Sequence, residues 1–279
     1  MTWLYLLAAA VLAVLVYGMV WEAFAVRLTR VRMLCPRLPP KFDGFTLLQI
    51  SDAHLEVFGR RERKVLKIAQ KLTPDVVAIT GDIAFGREAA KVMATIVQAA
   101  AASEGTYAVS GNADVRWPKS WAEVQEVLRA EGVEFLLNRH VILRRGEAQI
   151  ILAGVEDPHT GLDDLPKALE GAPPNTFIFL LAHSPCLTIG AVEMGVDVMI
   201  SGHTHGGQLR LPFVGPLLTR SGHGKELSSG YYPTSRLASF LEVDPGNLQV
   251  FVSRGIGSSF VPLRLLCPPE VTLIELVRG

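Results

Sequence analysis

The sequence predicts an α/β fold: two sheets face to face with helices on their outer sides, a four-layer α-β-β-α sandwich, behind an N-terminal transmembrane helix. Three observations predict it. Apolar strand-like runs alternate with helical ones through the first half of the chain. The second half is richer in strands, and polar metal-ligand side chains stand at strand ends throughout. The chain opens on a long uncharged apolar run. Alternation of this kind builds layered α/β structures with parallel strands, whose ligand sites lie outside the carboxyl ends of the strands.

The opening run comes first. Residues 2–21 carry no charge. As a helix that run rises roughly 30 Å, enough to cross a bilayer. Trp3 and Tyr5 at one end, and Tyr17 and Trp21 at the other, fit interfacial belts. A cleaved signal peptide is the alternative, with Ala23-Phe24-Ala25 as its small-residue site. No Lys or Arg precedes the apolar run, so the positive leader of a signal peptide is missing. The basic residues follow it instead (Arg27, Arg30, Arg32, Arg37 and Lys41), which places the body of the chain in the cytoplasm. Residues 1–26 are therefore read as a membrane anchor, 27–44 as a linker that is proline-rich from Cys35 onward, and 45–279 as one domain.

Within that domain, residues 45–50 read as a strand ending in Ser51-Asp52-Ala53-His54, and 60–72 have helical spacing. Residues 76–80 form a β-branched run ending in Gly81-Asp82, 88–102 an alanine-rich helix, and 107–110 a short strand ending in Gly111-Asn112. Residues 118–132 form a helix with proline at its start and glycine past its end. Strands follow at 149–155, 176–182 (ending in His183) and 196–200, the last running into Ser-Gly-His-Thr-His-Gly-Gly-Gln at 201–208. The series closes with strands at 237–243, 248–252 and 271–277.

Composition narrows the function. Lys plus Arg number 27 and Asp plus Glu 27, so nothing in the overall charge points to nucleic acid. Three cysteines, Cys35, Cys186 and Cys267, lack any CxxC pair and fit a reducing compartment. What remains is the set of strand-end side chains: Asp52, His54, Asp82, Asn112, His183, His203 and His205. Carboxylate, imidazole and one amide together suit Mn, Fe or Zn better than Mg or Ca. Seven donors exceed one tetrahedral site, so two divalent metal ions sharing a bridging carboxylate is the economical reading, with manganese preferred.

Asp-Ala-His at 52–54, Gly-Asp at 81–82, Gly-Asn-Ala-Asp at 111–114, His183 and Gly-His-Thr-His at 202–205 resemble the calcineurin-like metallophosphoesterases. The resemblance runs from about residue 45 to 276. Leu-Pro-Phe-Val-Gly-Pro at 211–216, Ser-Arg-Gly-Ile-Gly at 253–257 and Cys-Pro-Pro-Glu at 267–270 resemble a branch of membrane-associated bacterial phosphoesterases that includes UDP-2,3-diacylglucosamine pyrophosphatases. The resemblance implies a metallophosphoesterase sandwich. It implies that Asp52, His54 and His205 hold a first metal, that Asn112, His183 and His203 hold a second, and that Asp82 bridges them, with Asp82, Asn112 and His203 central to catalysis. It also implies an inner-membrane enzyme acting on a phosphorylated substrate, of which UDP-2,3-diacylglucosamine, a nucleotide-linked lipid, is one and a general phosphodiester another.

One position departs from the family pattern. The family has Gly-Asn-His-Asp, its histidine protonating the leaving oxygen, where this chain has Ala113. General-acid help is typically worth about 10²–10⁴-fold. Its loss favours pyrophosphates and activated esters, whose leaving groups need little protonation. Arg116 and His159 are the candidate substrate contacts, His159 also a candidate substitute acid, His223 a further candidate in a Gly-rich loop, and Asp114, without its usual histidine, a loop cap. The apolar loop 209–218 is read either as a membrane or acyl-chain contact or as a cover for the core. A non-catalytic metal-binding scaffold and a lipid-binding module are the readings from other classes. Retention of all seven donors argues against the scaffold.

Overall fold

The computed structural model describes residues 1–217, 219, 225–259 and 261–279. Helix α1 (Thr2–Val20) leads into strand β1 (Arg27–Leu34). Strand–helix alternation follows: β2 (Phe45–Ile50), α2 (Arg60–Ala69), β3 (Val76–Thr80), α3 (Arg87–Ala99), β4 (Thr106–Val109), the single turn α4 (Asn112–Val115), α5 (Pro118–Ala130) and β5 (Val133–Phe135). The second half contains β6 (Arg139–Arg145), β7 (Ala148–Gly154), α6 (Leu165–Ala168), β8 (Phe177–Leu181), α7 (Thr188–Glu193) and β9 (Val198–Ser201). It ends with the small hairpin β10 (Arg210–Leu211) and β11 (Gly215–Pro216), then β12 (Gly230–Tyr232), α8 (Thr234–Leu237), β13 (Gln249–Val252) and β14 (Glu270–Val277).

Two six-stranded sheets result, in the orders β1-β14-β2-β3-β4-β5 and β12-β13-β9-β8-β7-β6. Their side chains alternate between two cores, which is why the central strands read as unbroken apolar runs. On β2, Phe45 and Leu47 enter the core between the sheets, where they meet Phe179, Leu181, Val198 and Phe251 from the second sheet. Leu48 and Ile50 turn the other way, against Val65, Met93, Val97, Val124 and Leu128 on α2, α3 and α5. On the far side, Leu180, Met199 and Val250 pack against Leu165, Ala168, Ala191 and Leu237 on α6, α7 and α8. The four layers predicted from the sequence are thus present. The buried Gln49 ties the sheets together, its amide donating to Thr80 Oγ1 at 2.9 Å and to the Ser201 carbonyl at 3.0 Å across the gap.

Two expectations are corrected. Residues 27–44 are not simply a linker, because 27–34 form β1, paired in parallel with β14 at the edge of the first sheet. Met33 and Val31 pack into the inter-sheet core while Arg27, Arg30 and Arg32 face out. Charged side chains protect an exposed edge from adding further strands, and here they also disguise a strand as a polar connector. Residues 237–243 are not a strand either. Leu237 ends α8, and the turn continues through N–H donation from Phe240 and Leu241 to the Leu237 carbonyl. The spacing i, i+3, i+4 puts these three apolar side chains on one face of a helical turn. The strand that pairs with β13 on its outer side, antiparallel, is β12.

Candidate metal centre

The parallel strands β2, β3 and β4 of the first sheet and β8 and β9 of the second all end at one edge of the sandwich. Their trailing loops bring all seven sequence-predicted donors together there. Five of these, Asp52, His54, Asp82, His203 and His205, have φ between 43° and 68°. A non-glycine residue held in the left-handed region costs of order 1–3 kcal/mol, a strain found typically at functional sites. The left-handed turn swings each side chain off the strand direction and into the gap between the sheets.

Close approach of the loops requires glycine at several places, two of them against the carboxylate oxygens. A Cβ on Gly202 would lie 2.0 Å from Ser51 Oγ and 2.1 Å from Asp52 Oδ2. Without one, the His203 N–H donates to both Asp52 oxygens, at 2.9 and 3.1 Å. A Cβ on Gly111 would lie 2.3 Å from Asp82 Oδ1.

The donors form two adjoining groups. Asp52, His54 and His205 offer ligand atoms within 4.8 Å of one another, as do Asp52, Asp82 and His183. His54 Nε2 and His205 Nε2 are 3.3 Å apart. His183 Nε2 lies 3.2 Å from both Asn112 Oδ1 and His203 Nδ1. Asp82 Oδ2 stands between the groups, 3.4 Å from His54 Nε2 and 3.5 Å from His183 Nε2. The opposite ring nitrogen of His183 faces the Thr80 carbonyl at 2.9 Å, which accepts only, so Nδ1 carries a hydrogen. In the neutral ring Nε2 then turns its lone pair on an amide oxygen and a carboxylate. Acceptors facing acceptors need a positive charge among them, and divalent metal ions fit this donor set.

The titration behaviour of the cluster has the same cause. Burial pushes Asp52 up to about 6, and nearby Asp82 adds to the effect. Burial holds His205 well below the usual imidazole range, with His54 beside it acting in the same direction, and it also lowers His54. Burial alone would lower His183, but Asp82, Asp52 and Asp157 outweigh it and raise His183 to about 9. The pocket thus holds a carboxylate, Asp52, that resists ionising and two imidazoles, His54 and His205, that keep their lone pairs, while the acids around His183 favour its charged form.

Several residues that sequence reasoning missed or left open serve the site from behind. Asp114 does cap loops: Oδ2 accepts the N–H groups of Asp82 and Gly111, at 2.7 and 2.9 Å, and Oδ1 accepts that of Ile83 at 2.8 Å. The Ala113 N–H donates to Asp82 Oδ1 at 2.7 Å, so position 113 orients the central carboxylate through its backbone whatever its side chain. Arg264 is fully buried and donates to the carbonyls of Arg254 (2.8 Å), Gly255 (3.3 Å), Gly257 (3.2 Å) and Cys267 (3.1 Å). That fixes the turn whose Gly257 N–H donates to the Asp52 carbonyl at 2.6 Å. A single arginine in a Leu- and Pro-rich tract gives no sequence signal for such a role.

The site opens into a cleft of about 510 Å³, in the range of small-molecule sites. Arg116, Trp117, Glu56, Arg61 and Pro262 line it, with Ala113 in its wall. Arg116 is exposed, and its guanidinium lies 5.7 Å from the centre of the Trp117 ring. His159 is not among the lining residues. Its ring stacks on that of His203 with centroids 4.0 Å apart, and its Nε2 meets Ser184 Oγ at 2.9 Å. His223 lies outside the described residues, as does the last residue of the apolar loop 209–218.

Residues 45–207 match the calcineurin-like phosphoesterase family. The chain is 29% identical to the uncharacterized metallophosphoesterase YkuE of Bacillus subtilis (strain 168), over 93% of this chain and 88% of that protein. It is 31% identical to the phosphodiesterase YaeI of Escherichia coli (strain K12), over 84% of this chain and 82% of that protein. It is also 31% identical to a Danio rerio protein described as a transmembrane protein with metallophosphoesterase domain, the whole of this chain aligning with 63% of that one.

Proposed function

The chain belongs to the calcineurin-like phosphoesterase family, and from that premise we propose that it cleaves phosphodiester or diphosphate bonds whose leaving group is already acidic, at a membrane surface. It is a phosphoester hydrolase. The single observation that carries the finer reading is Ala113, a side chain with no proton to give, in the wall of a cleft that keeps every metal-type donor.

In this reading Asp52, His54 and His205 hold one cation, Asn112, His183 and His203 the other, and Asp82 both. Asp82 stands at similar distances from the two groups, which supports its place. Manganese is the first choice, and iron or zinc would accept the same ligands. When bound, the two cations would lower the pKa of a water between them and draw charge from the phosphoryl oxygens. The protein's part is to hold that geometry. The backbone of Ala113 and Gly111 and the carboxylate of Asp114 fix Asp82, and the His203 N–H fixes Asp52. Arg116 at the cleft wall offers a planar fork of donors to a phosphate. His159 reaches the site only through His203, so Arg116 is the better placed of the two substrate candidates.

UDP-2,3-diacylglucosamine, split to UMP and lipid X, meets the leaving-group requirement because a phosphate departs whichever phosphorus is attacked. The E. coli relative's description as a phosphodiesterase supports the wider class. The apolar helix Thr2–Phe24 is long enough to cross a bilayer. The arginines that follow it favour a single-pass protein of the inner membrane with its domain in the cytoplasm. The test is turnover with Mn²⁺ on an aryl phosphomonoester, an aryl phosphodiester, a cyclic nucleotide and a UDP-linked acyl sugar. With a simple alkyl phosphomonoester run beside them as the poor-leaving-group control, the expected result is clear preference for the aryl diester and the UDP-linked sugar over that control. Turnover of none of them, by protein shown to carry two metal equivalents, would refute the hydrolytic reading.

A further inference from the structure

The end of the sandwich that carries the site is also the end from which the apolar helix departs. β14 runs antiparallel to β2, with Thr272 opposite Gln49, and β1 runs parallel to β14. The first residues of β1 and β14 therefore stand beside the last residues of β2, where Asp52 and His54 begin the site. Among the described residues, the body grips only the end of α1 and the turn that follows it. The Arg264 N–H donates to the Gly18 carbonyl at 3.3 Å, the buried Glu22 carboxylate accepts the Cys267 N–H at 2.6 Å, and Arg60 lies 5.5 Å from the centre of the Phe24 ring. Upstream, Trp3 to Tyr17 are exposed.

The same loops that grip the helix form the mouth of the cleft. Glu56 and Arg61 line it from one side and Ser258, Ser259 and Pro262 from the other. The β10–β11 hairpin joins them. Gln208 Oε1 accepts the Ser259 N–H at 2.6 Å, and the Arg210 N–H donates to the Leu265 carbonyl at 2.9 Å. These loops carry large apolar side chains in solvent: Val57 and Phe58 before α2, Phe213 and Val214 at the hairpin tip, and Val261 and Leu266 beside the helix. Phe213 is 108% exposed and Val57 74%. Large apolar side chains exposed together on neighbouring loops mark a partner or a membrane, and here the loops are those that hold the end of a helix of membrane-crossing length.

We propose that this rim sits in the bilayer interface as a second membrane contact, so that the cleft opens against the lipid headgroups and receives phosphoesters presented there. The proposal rests on α1 being a membrane span, and the experiment reads the two claims separately. Full-length protein with Cys186→Ser is reconstituted in nanodiscs of phosphatidylethanolamine and phosphatidylglycerol. A nitroxide is attached through Val57→Cys, Phe213→Cys, Val261→Cys or Leu12→Cys, one at a time. Glu147→Cys, in the exposed turn at the opposite end of the sandwich, is the water reference. Collision with oxygen and with a nickel chelate reports immersion. The expected result is loss of nickel access at 12, 57, 213 and 261 but not at 147. Labels at 57, 213 and 261 as accessible as that at 147, with 12 immersed, would overturn the rim alone. A wet label at 12 would overturn the span and the rim with it.

Discussion

The two sheets serve the site unequally. Loops from the first supply both central carboxylates, the amide and one imidazole, namely Asp52, Asp82, Asn112 and His54. Loops from the second supply imidazoles only, His183, His203 and His205. The carboxylate donors thus come from one sheet alone, and the other contributes only imidazoles. Neither sheet holds a site alone, and the Asp52 carboxylate is fixed by an N–H from the opposite sheet. Any cation held here is also a clamp between the sheets.

The strongest way to break this division is to remove the acid that lies between the two groups. Asp82→Ala is expected to lower turnover of an aryl diester by on the order of 10³, with metal content falling below two equivalents. Full activity with two metals retained would refute the central place given to Asp82. Next in size is removal of the clamp. A ligand that binds only the folded state at a hundredfold its Kd stabilises by about 2.7 kcal/mol. For a domain of this size, chelation should therefore lower Tm by roughly 5–10 °C, reversed by Mn²⁺. An unchanged melting curve would mean that the sheets hold together without help from the site.

The smallest effect concerns a side chain that neither sheet supplies. Ala113→His should raise the rate on an alkyl monoester by about 10²-fold, the low end for general-acid help, and leave an aryl ester nearly unchanged. The low end applies because Asp114 already spends both oxygens on three N–H groups and has little left to orient an imidazole. Equal effects on both esters would remove the leaving-group argument.

Much of this was legible in the sequence because the site and the strands use the same signal. A strand buried on both faces is largely apolar, so the polar residues that follow it stand out, and the donors are among them. Features without such contrast were hidden. β1 is an edge strand written in arginines. Leu237, Phe240 and Leu241 satisfy a helical turn where the composition resembled a strand. Arg264 and Asp114 act on backbone groups that their neighbours in sequence do not reveal. The docking of Glu22 against Cys267 depends on contacts 245 residues apart along the chain.

The left-handed backbone at Asp52, His54, Asp82, His203 and His205 has a consequence for how such a chain drifts. At each of these positions glycine would relax the backbone, so the locally favoured replacement is also one that deletes a ligand. Selection acting on foldedness alone would erase this site first and leave a sturdier sandwich behind. Five unrelaxed positions kept together are a record of selection for chemistry, written in backbone angles.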